Sequence, residues 1–359
     1  MTKLKLSLLF LSVMSLAIFV ACSSETETIT KEVEVIKEVM VEGKSTLKTV
    51  QDRGTLKCGV NDNLTGFGVL TSGGTFEGFD IDYCKAVAAA ILGDASKVEY
   101  VPLTASARFE ALSSGEIDML VRNTTWTASR DRDLGNDFTA TTFYDGQGMM
   151  VYADSGYKTI EDMNGSTVCV LQGTTTELNL DDRFTSAGLD YTPLTFETND
   201  PLQAAFEEKR CDGWTTDKSG LNGRRTLLKN PKDHIIMEVT MSKEPLGPVV
   251  RHGDDQWFDI VQWTVFAMMQ AEEFGITSGN VDTFLGSENP NIRKLLGEEG
   301  EMGQKLGLSD DWAYNIVKLV GNMGEAYDAH LGPNTATSIP RGLNRLYTDG
   351  GLMYPPPVR

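Results

Sequence analysis

The chain has 359 residues, 40% of them hydrophobic, and a formal net charge of -19 at pH 7. That composition is ordinary for a globular protein, and the acidic balance argues against nucleic acid, whose phosphates would be repelled, and against broad contact with anionic lipid. A small anion held in a cleft is not excluded, because local charge and burial decide there.

The chain opens on MTKLKLSLLFLSVMSLAIFVACSS, with Lys3 and Lys5 as a short basic head. The apolar run from Leu6 to Ala21 is shorter than the ~20 residues a spanning helix needs. Residues 1–21 therefore read as a secretory signal. Its closing Phe19-Val20-Ala21-Cys22 resembles a bacterial lipobox, so Cys22 is expected to carry lipid and to begin the mature protein. Residues 22–44 read as a charged tether, in which KEVEV at 31–35 returns as KEVMV at 37–41. The expected location is outside the cytoplasm, with the chain anchored by lipid at the outer face of the cytoplasmic membrane or in the periplasm. Five cysteines are present: Cys22, Cys58, Cys84, Cys169 and Cys211. With Cys22 assigned to lipid, the other four allow three pairings. An oxidising destination permits both bonds, and the sequence-local choice, Cys58 with Cys84 and Cys169 with Cys211, suits two separately folded lobes.

Roughly 315 residues follow the tether, too many for one small core and enough for two domains. TLKCGV (55–60) predicts a first strand, FGVLTSGGTFEGFD (67–80) a glycine-rich hairpin, and DYCKAVAAAILGD (82–94) a helix ending near Gly93. KVEYVPLT (97–104) alternates like a strand, and ARFEALSSGEIDMLV (107–121) gives a helix and then a buried strand. This order implies a mostly parallel sheet flanked by helices. The pattern restarts with strand, turn and helix in GSTVCVLQGTTTELNL (165–180), a strand in YTPLTFET (191–198), and helix then strand in PLQAAFEEKRCDGWTTD (201–217). Helices follow at 256–275 and 310–332, before a turn-rich tail.

Ligands of open α/β sheets bind beyond the carboxyl ends of the strands. Three polar clusters stand at such ends: 122–130, 172–177 and 215–217. A division of the chain near 145 puts them on two lobes that face a shared ligand. Arg130 could clamp a carboxylate through two parallel hydrogen bonds, with Thr125 donating a hydroxyl. Thr174 and Glu177 have capping-box spacing, which makes Thr175 and Thr176 first-turn residues with free N–H groups for an anion. Asp217 could take an ammonium. Carboxylate and ammonium together describe an α-amino acid. The plainer alternatives are a surface ion pair of Arg130 with Asp131 or Asp133, and packing roles for Trp126 and Trp214.

Catalytic signals are thin. Of the three histidines, only His252 has a suggestive neighbour, Asp254 in RHGDD, and no nucleophile signature accompanies it. HExxH, CxxC, GxSxG, P-loop and full GxGxxG patterns are missing. No catalytic residue, cofactor or metal is expected.

The segments LKCGVNDNLTGFGVL, PLTASARFEALSSGEIDMLVRNTTWTASRD, LQGTTTELNL, CDGWTTDKSGL and SKEPLGPVVRHGDDQWFDIVQW resemble the general L-amino acid-binding proteins of bacterial ABC importers, members of the polar amino acid family of extracellular solute-binding proteins. The resemblance runs from about Thr46 to Arg359. It implies an α/β, periplasmic-binding-protein-like fold of type II, with two α/β lobes joined by a two-strand hinge. Lobe 1 would comprise 45–146 and 247–359, the latter with a helical extension, and lobe 2 would comprise 147–246. The family's carboxylate-binding arginine falls on Arg130, with Thr125 and Thr175 as partners. Its ammonium-binding acid falls on Asp217, and Asn123 stands where relatives often have serine. Asn61 and Leu64 occupy positions that commonly carry an acid and an aromatic, and a shelving aromatic is replaced near Ala105. Such a pocket implies broad specificity over a narrow preference for basic side chains. The implied protein is a monomer that delivers its ligand to an ABC permease. An enzyme on the same fold, such as a dehydratase of cyclic carboxylates, and an amino-acid-sensing accessory module are the alternatives.

Overall fold

The computed structural model describes residues 45–358. The leader, Cys22 and the tether lie outside the described residues. Residues from Thr46 onward form one compact unit. Among the described residues, no helix is long and apolar enough to cross a membrane.

Two five-stranded sheets carry the architecture. In the first half of the chain lie β1 (Leu56–Val60), β2 (Asn63–Leu64), β3 (Gly68–Leu70), β4 (Phe76–Glu77), β5 (Val98–Pro102), β6 (Met119–Leu120), β7 (Asn136–Phe138), β8 (Phe143–Asp145) and β9 (Gln147–Tyr152). The second half adds β10 (Ser166–Leu171), β11 (Tyr191–Phe196), β12 (Gly213–Asp217), β13 (His234–Ile236), β14 (Glu244–Leu246) and β15 (Val249–Arg251). The first sheet runs β5-β1-β6-β15-β7 and the second β11-β10-β12-β9-β13. In each, the leading strand pairs in parallel with both neighbours, β1 with β5 and β6, and β10 with β11 and β12. Antiparallel strands complete the sheets. Both leading strands are nearly continuous apolar runs because helices cover both faces. The chain leaves the first sheet through β8 and returns through β14, and these two pair antiparallel as a separate ribbon, Phe143 opposite Leu246. This is the type II arrangement of two α/β lobes on a two-strand hinge.

Disulfides Cys58–Cys84 and Cys169–Cys211 each tie a sheet to its own lobe. The first joins β1 to the helix Phe79–Leu92, and the second joins β10 to the residue two before β12. The C-terminal helices share the first lobe's core. Tyr327 packs edge-on against Phe79 and stacks on Phe143 of the hinge strand.

Three differences from the sequence-based expectations have local causes. The helix expected at 82–94 begins earlier, at Phe79. The run 310–332 is two helices, Trp312–Leu319 and Met323–His330. Gly321 has φ 106°, and Asn322 caps the second helix with Glu325 answering reciprocally, so the chain restarts where one long helix was expected. The strands β7, β13, β14 and β15 have three residues each, too few for alternation to register.

Candidate functional site

The strand-end clusters converge between the lobes. From β6 comes Asn123, which has φ 32°, a left-handed conformation that asparagine tolerates better than most residues and that often marks a functional site. That turn aims its groups three ways. Its N–H donates to Asp80 Oδ2 at 2.6 Å, its Oδ1 accepts from Asn61 Nδ2 at 2.9 Å, and its Nδ2 donates to Asp217 Oδ2 at 3.5 Å. From β10 comes the turn into the helix Thr175–Ser186. Thr174 caps it, accepting from Glu177 N at 3.1 Å, while the Glu177 carboxylate accepts from Gly173 N at 2.9 Å. The expected cap is present, with the glutamate reaching one residue further back than a strict capping box. From β12 comes Asp217, which precedes the helix Lys218–Arg225 without capping it through its side chain.

The lobes are closed on one another. Thr125 and Thr175 hydroxyls lie 3.4 Å apart across the gap. Asn199 Nδ2 donates to Asn63 Oδ1 at 3.2 Å and Arg224 Nη1 donates to Asn63 O at 2.9 Å, while the Ser106 hydroxyl donates to Glu197. Two glycines make the approach possible. A Cβ on Gly173 (φ +73°) would lie 3.0 Å from Ser106 Cα, and one on Gly223 would lie 2.6 Å from Thr65 O. The cavity that these clusters line holds about 30 Å³, and a cleft of about 170 Å³ adjoins it between the lobes at Asn61, Arg122, Leu171 and Asn199. One water needs ~10–15 Å³ on that measure, so the cavity as it stands has room for a water or two and not for an amino acid.

Asn61, Asn123, Thr125, Thr175 and Asp217 all line this cavity, as do Leu64 and Thr176. Arg130 does not line it. It lies behind Thr125, 7% exposed, donating from Nη1 to Thr125 O at 3.0 Å, with its guanidinium 5.2 Å from the Phe109 ring centroid. Neither Asp131 nor Asp133 pairs with it among the described residues, so the surface ion-pair alternative is set aside. The tryptophans do pack: Trp126 stacks on Phe138 at 5.7 Å, and Trp214 is sealed in the second lobe's core. His252 Nε2 contacts Asp137 at 3.1 Å, and Asp254 instead caps the helix Asp255–Glu273, so RHGDD makes no triad.

Three residues escaped sequence reasoning, Arg108, Asp80 and Glu244, and Arg122 stood inside the cluster 122–130 without an assigned role. Arg108 and Arg122 are buried cations on the cavity wall. Arg122 donates from Nε to Leu103 O at 2.7 Å, and Arg108 donates from Nη1 to Arg122 O at 3.3 Å. Arg122 closely follows β6, where the strand-end rule applies, whereas Arg108 opens the helix Arg108–Ser114 and carries no such signal. Asp80 is buried under Asn123. Glu244, on hinge strand β14, accepts from Thr175 Oγ1 at 2.9 Å and Asn179 Nδ2 at 2.8 Å. It ties the first turns of the second lobe's helix to the hinge.

Electrostatics divide the walls. Burial pulls the Arg130 and Arg122 guanidiniums down to about 10, leaving them charged at neutral pH. Burial, followed by repulsion from Arg130 and Arg122, pulls Arg108 down further. Burial pushes the Asp80 carboxyl up to about 7. Burial, then the Asp145 and Glu244 charges, holds Asp217 well above the usual carboxylate range.

Two α/β lobes hinged by two strands and closing over a polar cavity define a type II solute-binding protein. Residues 56–277 match the bacterial extracellular solute-binding proteins, family 3, and the chain belongs to that family. It is 51% identical over 317 residues to the general L-amino acid-binding periplasmic protein AapJ of Rhizobium johnstonii, covering 88% of this chain and 93% of the relative. Identity to the glutamate/glutamine/aspartate/asparagine-binding protein BztA of Rhodobacter capsulatus is 50%, covering 88% and 94%. A solved structure of an ABC transporter periplasmic binding protein from Brucella ovis, with glutathione bound, is 47% identical, with TM-score 0.86 over 88% of this chain and 99% of that one. These relatives are named for binding, and the chain is a periplasmic solute-binding protein of the ABC-transporter type, not an enzyme.

Proposed function

We propose that the chain captures L-amino acids between its lobes and delivers them to an ABC permease, acting as a monomer held at the membrane by lipid on Cys22. The observation that carries the binding role is the division of charge across one cavity: guanidiniums from the first lobe, and from the second a buried aspartate whose one side-chain partner among the described residues is an amide at 3.5 Å. In this reading Arg130, once released from Thr125 O, grips the α-carboxylate with the Thr125 hydroxyl and the Thr175 turn. Asp217 takes the ammonium, and Asn123 and Asn61 hold its carboxylate in line. The names of the Rhizobium and Rhodobacter relatives favour amino acids as the ligand class. Closure excludes water and so strengthens each polar contact, and ligand affinity for the closed form drives the shift.

The test is thermal unfolding of protein stripped of ligand by unfolding and refolding, against each common L-amino acid, its D-enantiomer and sugars. Ligand at a thousandfold above its Kd stabilises by about 4 kcal/mol, several degrees for a chain of this size. Shifts with L-amino acids alone support the proposal, and silence from all of them overturns it. Cys22→Ser is expected to move the protein from the membrane to the soluble fraction; retention in the membrane contradicts the lipid anchor.

A further inference from the structure

The segment that follows the helix Met323–His330 belongs to the first lobe, yet it touches the hinge and the second lobe as well. Its hold on the first lobe is firm. Leu331, Leu346, Met353 and Val358 are buried in that lobe's core. Arg341 makes a two-pronged ion pair with Glu272 of the helix Asp255–Glu273, and Val358 N donates to Gln270 of the same helix at 3.1 Å. At the hinge, buried Asn344 accepts from Tyr144 N at 2.6 Å through Oδ1 and donates to Tyr144 O at 3.1 Å through Nδ2. Pro245, opposite Tyr144 on β14, has no N–H to offer. The Asn344 amide thus takes the part of a third strand on β8.

Against the second lobe the segment makes one hydrogen bond among the described residues: Asn222 Nδ2, on the helix Lys218–Arg225, donates to Thr337 O at 2.8 Å. This bond sits in a tight seam. A Cβ on Gly66, in the turn between β2 and β3, would lie 2.7 Å from Leu331 Cδ2 and 3.2 Å from Thr337 Cγ2, and one on Gly223, beside Asn222, would lie 2.6 Å from Thr65 O. Turn, segment and second-lobe helix therefore meet at one place. Ser338, next to Thr337, has φ 43°, a left-handed conformation that persists in a non-glycine residue only where its surroundings fix it. Beyond the seam the packing opens. A cleft of about 400 Å³ lies between residues 339–344 and the same second-lobe helix. Neither Asn222 nor Thr337 lines the ligand cavity or the cleft beside it.

Asn222 moves with the second lobe and Thr337 with the first, so their bond lasts only while the lobes are together. One hydrogen bond beside an open cleft is a contact that can break and reform. We propose that this segment is a latch: Asn222 on Thr337 O favours the closed form from outside the cavity, and so sets the affinity for every ligand by one common factor. The proposal rests on the reading that the lobes close over an amino acid. A contact that stabilises the closed form without touching the ligand acts by raising the binding-competent fraction. The factor is that of one hydrogen bond, about two- to tenfold in Kd.

The experiment is calorimetric titration of the refolded full chain, in detergent, with several L-amino acids that bind wild type, repeated on Asn222→Ala and Asn222→Asp. An ionised aspartate keeps the shape of asparagine and cannot donate to a carbonyl, so it removes the bond without leaving a hole. Asn222→Ala is expected to raise Kd by about two- to tenfold and Asn222→Asp by at least as much, each by the same factor for every amino acid. Denaturant unfolding of the ligand-free variants checks that they fold. Unchanged Kd in Asn222→Asp overturns the proposal, and a loss of ligand-free stability alongside it assigns the bond to the fold alone. Factors that differ from one amino acid to another also overturn it, since Asn222 then acts on the ligand. If no amino acid binds wild type, the amino-acid reading fails and takes the latch's role in capture with it, a result that needs no variant and is distinct from the others.

Discussion

The two walls of the cleft are built by opposite means. The first-lobe side is a set of buried cations and amides braced within the lobe: Arg122 on Leu103 O, Arg130, behind the wall, on Thr125 O, and the Asn123 N–H on the Asp80 carboxylate. The second-lobe wall is a capped helix start, Thr174 to Thr176, beside one buried acid, Asp217, whose carboxylate reaches across to Asn123. One wall offers positive charge and the other a carboxylate, so neither alone matches a zwitterion. Under the proposed reading, affinity for such a ligand is affinity for the closed state, and binding and closure are expected to be one event.

The sharpest way to break this division is to remove its positive half. Arg130→Ala is expected to weaken L-amino acid binding by about 3–4 kcal/mol, on the order of a few hundredfold, because two charge-assisted hydrogen bonds go together; calorimetry would read this, and wild-type affinity in the variant would end the clamp role. Removing the negative half costs less. Asp217→Asn keeps the shape and loses one charged contact, about 1.5–3 kcal/mol, readable by the same titration.

The division also has a pH signature. Asp217 holds its proton above the usual carboxylate range in the ligand-free closed state, whereas an ammonium partner requires it ionised. Binding should then release a proton, and affinity should rise with pH until the ligand-free acid is itself ionised. Heats of binding compared in buffers of different ionisation enthalpy give the sign, and proton uptake would contradict the assignment. Stability of the ligand-free protein should run the other way. Asp80 is raised to about 7 and Asp145 to about 6 from an ordinary 3.8. Such groups contribute stability that is complete below about 4 and is lost as pH rises through 6 to 7, so the melting temperature should fall over that window.

The smallest expected effect belongs to the second wall's scaffold. Thr174→Ala removes the cap at Glu177 N and should cost about 1 kcal/mol of stability, measured by denaturant unfolding. Its effect on binding tells whether the helix start acts on the ligand or only holds the wall together.

Much of this was legible in the sequence because strand-end geometry is local. Val168 to Leu171 followed by QGTTTEL announces strand, turn and capped helix, and 119–121 followed by a polar stretch announces the other half. The cysteines found sequence-local partners for the same reason. What was hidden depends on return crossings of the chain. Glu244 reaches the site only because β14 pairs back on β8, and three-residue strands carry no periodic signal. Arg108 was hidden differently: at the start of a helix it reads as a solvated charge, whereas the fold buries it beside Phe109 and Arg122. Arg130 stood out as a candidate in the sequence, but its hydrogen bond to Thr125 O did not, since that depends on the fold of the turn between them.

The most direct test of the account is a three-way titration of wild type with an L-amino acid that it binds, the same molecule without its carboxylate, and the same molecule without its ammonium. The account predicts binding of the amino acid alone, with each truncated analogue weaker by at least about tenfold, the scale of one lost charged contact. Binding of either analogue with undiminished affinity would show that one wall suffices, and the two-walled clamp would be wrong.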